Sequence, residues 1–197
     1  MKFYSIAKRF VKFISYIFFP VKVMGDFDQL PENDGVVLCA NHLSYMDAVV
    51  LGLAFDRQIR FVAKKRYAQM PLLRSVMKWL GAFGIDPEKP DVAALKRCFS
   101  VVKNNEILGI FPEGTRIING KLSNPMPGAV MIAHKTKKPI FYVKIKPSKE
   151  KFKLFFKTLV YIGGIVDVSE LGVTNGKGDE YKTASELLMK KIYGLGE

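Results

Sequence analysis

Val36-Val37-Leu38-Cys39-Ala40-Asn41-His42-Leu43-Ser44-Tyr45-Met46-Asp47 is the stretch that decides the fold. Its first five residues are an unbroken apolar run, too short for a helix and suited to a strand buried on both faces. The polar residues that follow open into a helical pattern from Tyr45 to Phe55, with Ser44 placed as N-cap and Asp47 in the first turn. A strand end that turns into a helix is where α/β proteins carry their functional groups.

The alternation continues along the chain. Ile59 to Ala63 and Ile107 to Phe111 read as strands, and Leu72 to Leu80 and Val92 to Val102 as helices. Asn119-Gly120 is a hairpin signal. Strands are predicted at Pro139 to Lys146 and Lys153 to Ile162, and a closing helix from Thr183 to Tyr193 after the Gly-rich connector Thr174 to Asp179. The expectation is a single α/β domain with a mixed, largely parallel central sheet flanked by helices. No repeat and no second globular unit is apparent.

The chain has 197 residues, 49% of them hydrophobic, which suffices for a core without staples or a structural metal. Thirty-one Lys and Arg against 18 Asp and Glu give a net charge of +13. Such an excess calls for an anionic partner: nucleic acid, a membrane surface or a phosphorylated small molecule. High aromatic content favours lipid, and no zinc spacing or RNA-binding aromatic motif supports nucleic acid.

Residues 2–19 place Phe3, Ile6, Ala7, Phe10, Phe13 and Ile14 on one helical face, with Lys2, Lys8, Arg9 and Lys12 opposite, and Pro20 as the stop. The pattern fits an amphipathic helix on an anionic membrane or a first helix of the core. Its longest uncharged run, residues 13–21, is far below the roughly 20 residues needed to cross a bilayer. With no signal-peptide pattern, the expected location is the cytoplasmic face of the cell membrane, peripheral or monotopic, with residues 1–23 as the surface helix and 24–197 as the domain. A second basic stretch, residues 135–157, holds nine lysines against Glu150. It reads as a solvated face, a headgroup contact or a docking site for an acidic carrier protein.

Two polar constellations follow predicted buried strands. In the first, Asp47 could fix the tautomer of His42, so that the other ring nitrogen serves as general base for an alcohol. The alternative is a capping box beside an ordinary loop histidine. Ser44 lacks the strained elbow of a nucleophilic serine. The second is Phe111-Pro112-Glu113-Gly114-Thr115-Arg116, in which Arg116 offers a bidentate fork for phosphate, Gly114 permits close backbone approach and Thr115 adds a hydroxyl. Alone it could be a simple turn. His134 sits in an apolar helical pattern and is read as structural. Cys39 and Cys98 lack the charged surroundings of a reactive thiolate.

Together, Asn41-His42-x-Ser44-x-x-Asp47 and Phe111-Pro112-Glu113-Gly114-Thr115-Arg116 resemble the motifs of the 1-acylglycerol-3-phosphate acyltransferase family, the PlsC-type phospholipid acyltransferases. Gly81 to Asp86 is similar to the family's second motif and Pro139 to Val143 to its fourth. The resemblance implies transfer of a fatty acyl group from an acyl carrier protein or coenzyme A thioester to the free hydroxyl of lysophosphatidic acid, giving phosphatidic acid. It implies His42 as base and Asp47 as its orienting partner. Glu113, Gly114, Thr115 and Arg116 would hold the acceptor's phosphate. It implies no metal, cofactor or covalent acyl-enzyme, and no nucleic-acid partner.

Three positions depart from the pattern: Pro87 replaces an Arg of the second motif, Tyr142 a proline of the fourth, and Met126 a frequent lysine. The phosphate would then fall to Lys64, Lys65 or Lys89, with Asn41 and Ser44 as further substrate contacts. A different lysolipid acceptor, or an ester or thioester hydrolase built on the same pair, are the competing expectations. A non-catalytic anion-binding module is the third.

Overall fold

The structure, a computed structural model, describes residues 20–65, 77, 81–85, 91–114, 124–149 and 155–197. The helices expected over residues 2–19 and, but for Met77, over 72–80 lie outside the described residues, as do the Asn119-Gly120 hairpin, Asp86 and Pro87.

Seven strands form one sheet: β1 (Val21–Met24), β2 (Val36–Ala40), β3 (Ile59–Lys64), β4 (Phe83–Ile85), β5 (Ile107–Ile110), β6 (Ile140–Pro147) and β7 (Thr158–Val166). Their order is β1-β7-β6-β2-β5-β3-β4. Strands β6, β2, β5, β3 and β4 run parallel, while β7 is antiparallel to β6 and β1 parallel to β7. Among the described residues four helices with printed bounds cover it: α1 (Asp47–Ala54), α2 (Val92–Lys103), α3 (Gly128–Thr136) and α4 (Gly178–Gly194).

The apolar run of β2 is the central strand, and every residue in it is buried. Side chains alternate across a strand, so Val37 and Cys39 join the core beneath α2, α3 and α4, whereas Val36, Leu38 and Ala40 join the one beneath α1. On the α1 side Phe27, Phe55 and Phe141 form a ring cluster, Phe27 meeting Phe55 edge-on at 4.8 Å. This explains why β2 reads as continuously hydrophobic: it has no solvent face.

The connections set the site. Leaving β2, the chain crosses one face through α1 to β3, whereas leaving β5 it crosses the other face through α3 to β6. Adjacent strands whose exits diverge to opposite faces open a crevice at their C-terminal ends, the switch point where α/β proteins bind ligands. Here that crevice lies between β2 and β5, which pair Cys39 with Ile110.

Two boundaries differ from expectation. A division after residue 23 would cut β1, because the Pro20 carbonyl accepts from Thr158 N–H at 2.9 Å and Val21 to Met24 pair with β7. Strand β7 begins at Thr158 and continues past Gly163 and Gly164, whose missing side chains make room for the rings and amides above them: a Cβ at Gly163 would sit 2.2 Å from the Tyr142 ring. Tyr142, one of the departures from the family pattern, thus packs over a glycine.

Gly35 shows how tightly α2 crosses the start of β2. A Cβ there would lie 1.9 Å from the Val102 carbonyl oxygen, a backbone atom that cannot swing aside. Gly35→Ala is expected to destabilise the fold by about 1–3 kcal/mol, seen as a lower urea midpoint with an unchanged slope.

Candidate active site

The candidate site is built from the end of β2, the start of α1 and the end of β5. The His42 Nδ1–H group donates to Asp47 Oδ2 at 2.9 Å. The same oxygen accepts the backbone N–H groups of Leu43 (2.6 Å) and Ser44 (2.7 Å). Asp47 is fully buried and the His42 side chain 19% exposed, so the orienting carboxylate is shielded and the imidazole reaches the surface.

Helix α1 starts at Asp47, two residues later than the Tyr45 expected, after a turn in which Met46 N–H donates to Ser44 Oγ at 3.2 Å and Asp47 N–H to the Ser44 carbonyl at 3.2 Å. The N-cap is Met46 rather than the Ser44 expected and it has no side-chain cap, so the Asp47 carboxylate ties the preceding loop and the imidazole together instead of capping the helix. Each buried N–H that it satisfies would otherwise cost about 1–3 kcal/mol.

Phe111, the first residue of the second motif, stacks on the His42 ring with centroids 4.2 Å apart and planes 14° apart, and Phe61 of β3 stacks behind it at 5.9 Å. Ring stacking, the Asp47 hydrogen bond and the loop backbone together fix the imidazole plane.

Glu113 is 3% exposed. Its Oε2 accepts the backbone N–H of His42 at 2.8 Å and its Oε1 the hydroxyl of Tyr193 at 2.6 Å. Burial pushes its carboxyl above the usual range, while the Tyr193 and His42 donors pull it back. Burial and the neighbouring carboxylate push the Tyr193 phenol well above its ordinary value, so it remains a donor. Glu113 is thus a brace between the two motif loops and the C-terminal helix, a placement unlike the phosphate-holding one that the resemblance implies.

Gly114 adopts a left-handed conformation (φ +66°) that closes a turn, its N–H donating to the Phe111 carbonyl at 3.0 Å. A Cβ there would lie 2.5 Å from Met126 Sδ, which covers the turn. Asn41 does not offer its amide to the crevice: Nδ2 donates to the Ile145 carbonyl at 2.9 Å and Oδ1 accepts Ile145 N–H at 2.7 Å. It extends the β2–β6 pairing as a side-chain rung. Lys64 ends β3 at the same end of the sheet, with Lys65 exposed beside it. Thr115, Arg116 and Lys89 lie outside the described residues.

Sequence reasoning missed Tyr193, which looks like one more core position of an amphipathic helix, and the stacking by Phe111. His134 Nδ1 meets the Tyr181 hydroxyl at 2.7 Å between α3 and α4. Cys39 and Cys98 are buried; burial drives the Cys39 thiol far up and the Cys98 thiol up to about 11, which leaves neither a nucleophile.

A family model described as Acyltransferase matches residues 21–146. The 1-acyl-sn-glycerol-3-phosphate acyltransferase of Bacillus subtilis is 35% identical over 133 residues, 64% of this chain and 64% of that protein. The chloroplastic 1-acyl-sn-glycerol-3-phosphate acyltransferase BAT2 of Brassica napus is 29% identical over 192 residues, 96% of this chain and 50% of that protein. The chain therefore spans between half and two thirds of the length of these two relatives. The crystal structure of PlsC, the 1-acyl-sn-glycerophosphate acyltransferase from Thermotoga maritima, superposes with a TM-score of 0.69 at 25% identity, covering 98% of this chain and 80% of that one. The motif residues, the switch-point crevice and these matches agree, and the chain belongs to the Acyltransferase family.

Proposed function

We propose that the protein transfers a fatty acyl group from an acyl carrier protein or coenzyme A thioester to the free hydroxyl of 1-acylglycerol-3-phosphate, giving phosphatidic acid. The observation that carries the reading is the 2.9 Å contact from His42 Nδ1 to a buried carboxylate. With Nδ1–H held by Asp47, the neutral imidazole presents Nε2 as the acceptor for a proton.

In this mechanism Nε2 takes the proton of the acceptor hydroxyl as its oxygen attacks the thioester carbonyl carbon. The tetrahedral intermediate collapses by breaking the C–S bond, and the departing sulfur receives the proton from the imidazolium. The acyl group never resides on the protein, and the thioester is the only co-substrate. Arg116, two residues beyond the Gly114 turn, with Thr115 and the lysines at the end of β3, supplies the phosphate contacts. Among the described residues no helix is long and apolar enough to cross a membrane. The reading places the protein peripherally at a membrane surface, on the cytoplasmic side.

Product analysis with lysophosphatidic acid and each thioester tests it. Phosphatidic acid is the expected product. Release of free fatty acid without phosphatidic acid would make the protein a hydrolase instead.

Tyr193 acts through Glu113 as a positioning residue. Tyr193→Phe removes one hydrogen bond to a carboxylate, worth about 1.5–3 kcal/mol, and is expected to lower kcat by roughly tenfold with little change in KM. It also removes a donor that pulls the Glu113 carboxyl down, so that carboxyl rises further. In a Glu113→Gln background the same substitution should add little. A full additional loss there would mean that Tyr193 does not work through Glu113.

A further inference from the structure

Strand β6 runs parallel to β2 and outreaches it. Ala40, the last residue of β2, pairs with Val143, and β6 continues four residues to Pro147, about 13 Å at the rise of a strand. The β6–β7 connection therefore projects from the same end of the sheet as His42 and Glu113, and β6 is the strand next to β2. Ser148 N–H donates to the Lys157 carbonyl at 2.9 Å, so the two arms stay paired beyond the sheet.

The described parts of this connection present an unusual surface. Phe155 is 64% exposed and Phe156 42% exposed. Phe155 holds a left-handed backbone conformation, φ +66°, which a bulky side chain seldom adopts. Around the two rings, Lys146, Lys149 and Lys157 are exposed, with Lys149 Nζ 5.3 Å from the centre of the Phe156 ring. No acid occurs among the described residues 146–149 and 155–158.

Two further features share this end. The Pro20 carbonyl accepts from Thr158 N–H, so the start of β1 lies beside these arms. Lys64 and Lys65 follow β3 there as well. The exposed acids Asp26, Asp28, Glu32 and Asp56 lie in the connections that precede β2 and β3, at the opposite end. Exposed Lys103 and Lys137 lie at that opposite end too; what sets the end bearing His42 apart is the pair of exposed rings with lysines beside them.

We propose that the two described arms of the β6–β7 connection, residues 146–149 and 155–157, form a lipid-contacting wedge, in which Phe155 and Phe156 enter the headgroup boundary of an anionic bilayer and Lys146, Lys149 and Lys157 meet its phosphates, seating the crevice on the membrane. Exposed rings ringed by lysines match this interface, where apolar burial and attraction to anionic lipid act together. The orientation brings the crevice to the phase in which a lysolipid acceptor resides. The inference deepens the proposed function by naming the surface at which that site works, and it rests on a lipid acceptor.

The test is co-sedimentation of the full chain with vesicles of phosphatidylcholine containing phosphatidylglycerol, and with phosphatidylcholine alone. Phe155→Asn/Phe156→Ser, with asparagine chosen because it tolerates the left-handed conformation, should lower partitioning into the anionic vesicles by about tenfold or more. Lys149→Glu/Lys157→Glu should lower it further and weaken its salt dependence. Both variants should keep parental turnover on a short-chain acceptor dispersed as monomers. Unchanged partitioning of both variants would overturn the wedge. So would unchanged partitioning with weakened binding to an acyl carrier protein, which would assign the surface to that acidic carrier. Vesicle binding is read without turnover, so failure to form phosphatidic acid would count against the proposed function alone.

Discussion

Replacing His42 by alanine is expected to lower kcat for phosphatidic acid formation about 10²- to 10⁴-fold, the range spanned by a positioned general base. The effect should fall on kcat, because in the proposed mechanism the imidazole acts on the hydroxyl proton as the transition state forms and adds little to ground-state binding. The fold should survive. The ring is partly exposed, and its removal leaves Asp47 still accepting from Leu43 and Ser44. Thermal unfolding measured beside the kinetics separates loss of the base from loss of structure. Turnover at the parental rate would remove His42 from the mechanism altogether.

Asp47→Asn separates the two tasks of one carboxylate. The contacts from His42 Nδ1, Leu43 N–H and Ser44 N–H all fall on Oδ2, so an asparagine with its amide oxygen in that place keeps all three and the turn before α1 persists, at a cost of about 1–3 kcal/mol for the NH2 buried where Oδ1 was. The same oxygen can no longer serve the imidazole as an anion. What is lost is the negative charge that would stabilise the imidazolium formed when Nε2 takes the proton in the proposed mechanism. A loss of kcat of about 10²-fold or more is expected, within the range of a positioned general base. Asp47→Ala should lose both activity and stability. If the asparagine variant turned over normally, Asp47 would be a brace of the loop only.

Much of this site can be read from the chain because its chemistry is local. His42 and Asp47 lie five residues apart in one strand-to-helix passage, and the continuous apolar run before them marks a strand without a solvent face. The second motif follows another such run, so two loops at strand ends are visible; the β2–β5 pairing that makes them neighbours is not, because it depends on crossovers on opposite faces. Strand β1 was hidden for a related reason. Val21 and Val23 follow directly on a basic amphipathic pattern, and only pairing with β7, more than 130 residues later, distinguishes strand from helix tail. The start of α4 at Gly178 rather than Thr183 was obscured by a connector-like composition. The Glu180 carboxylate reaches back to the N–H groups of Thr174, Asn175 and Gly176, and so holds the first turn in place.

The side-chain rung of Asn41 sets a minimum size for the catalytic unit. His42 and Asp47 are neighbours in sequence, but the histidine's backbone is held by Glu113, and the residue before it by Ile145, partners 71 and 104 positions away. Glu113 in turn is held from the last helix, outside the segment that the family model matches. A fragment ending at residue 146 would contain both motifs and every matched position, yet would lack β7 and the Tyr193 hydroxyl. It would carry the signature of the family without the scaffold that aims its imidazole.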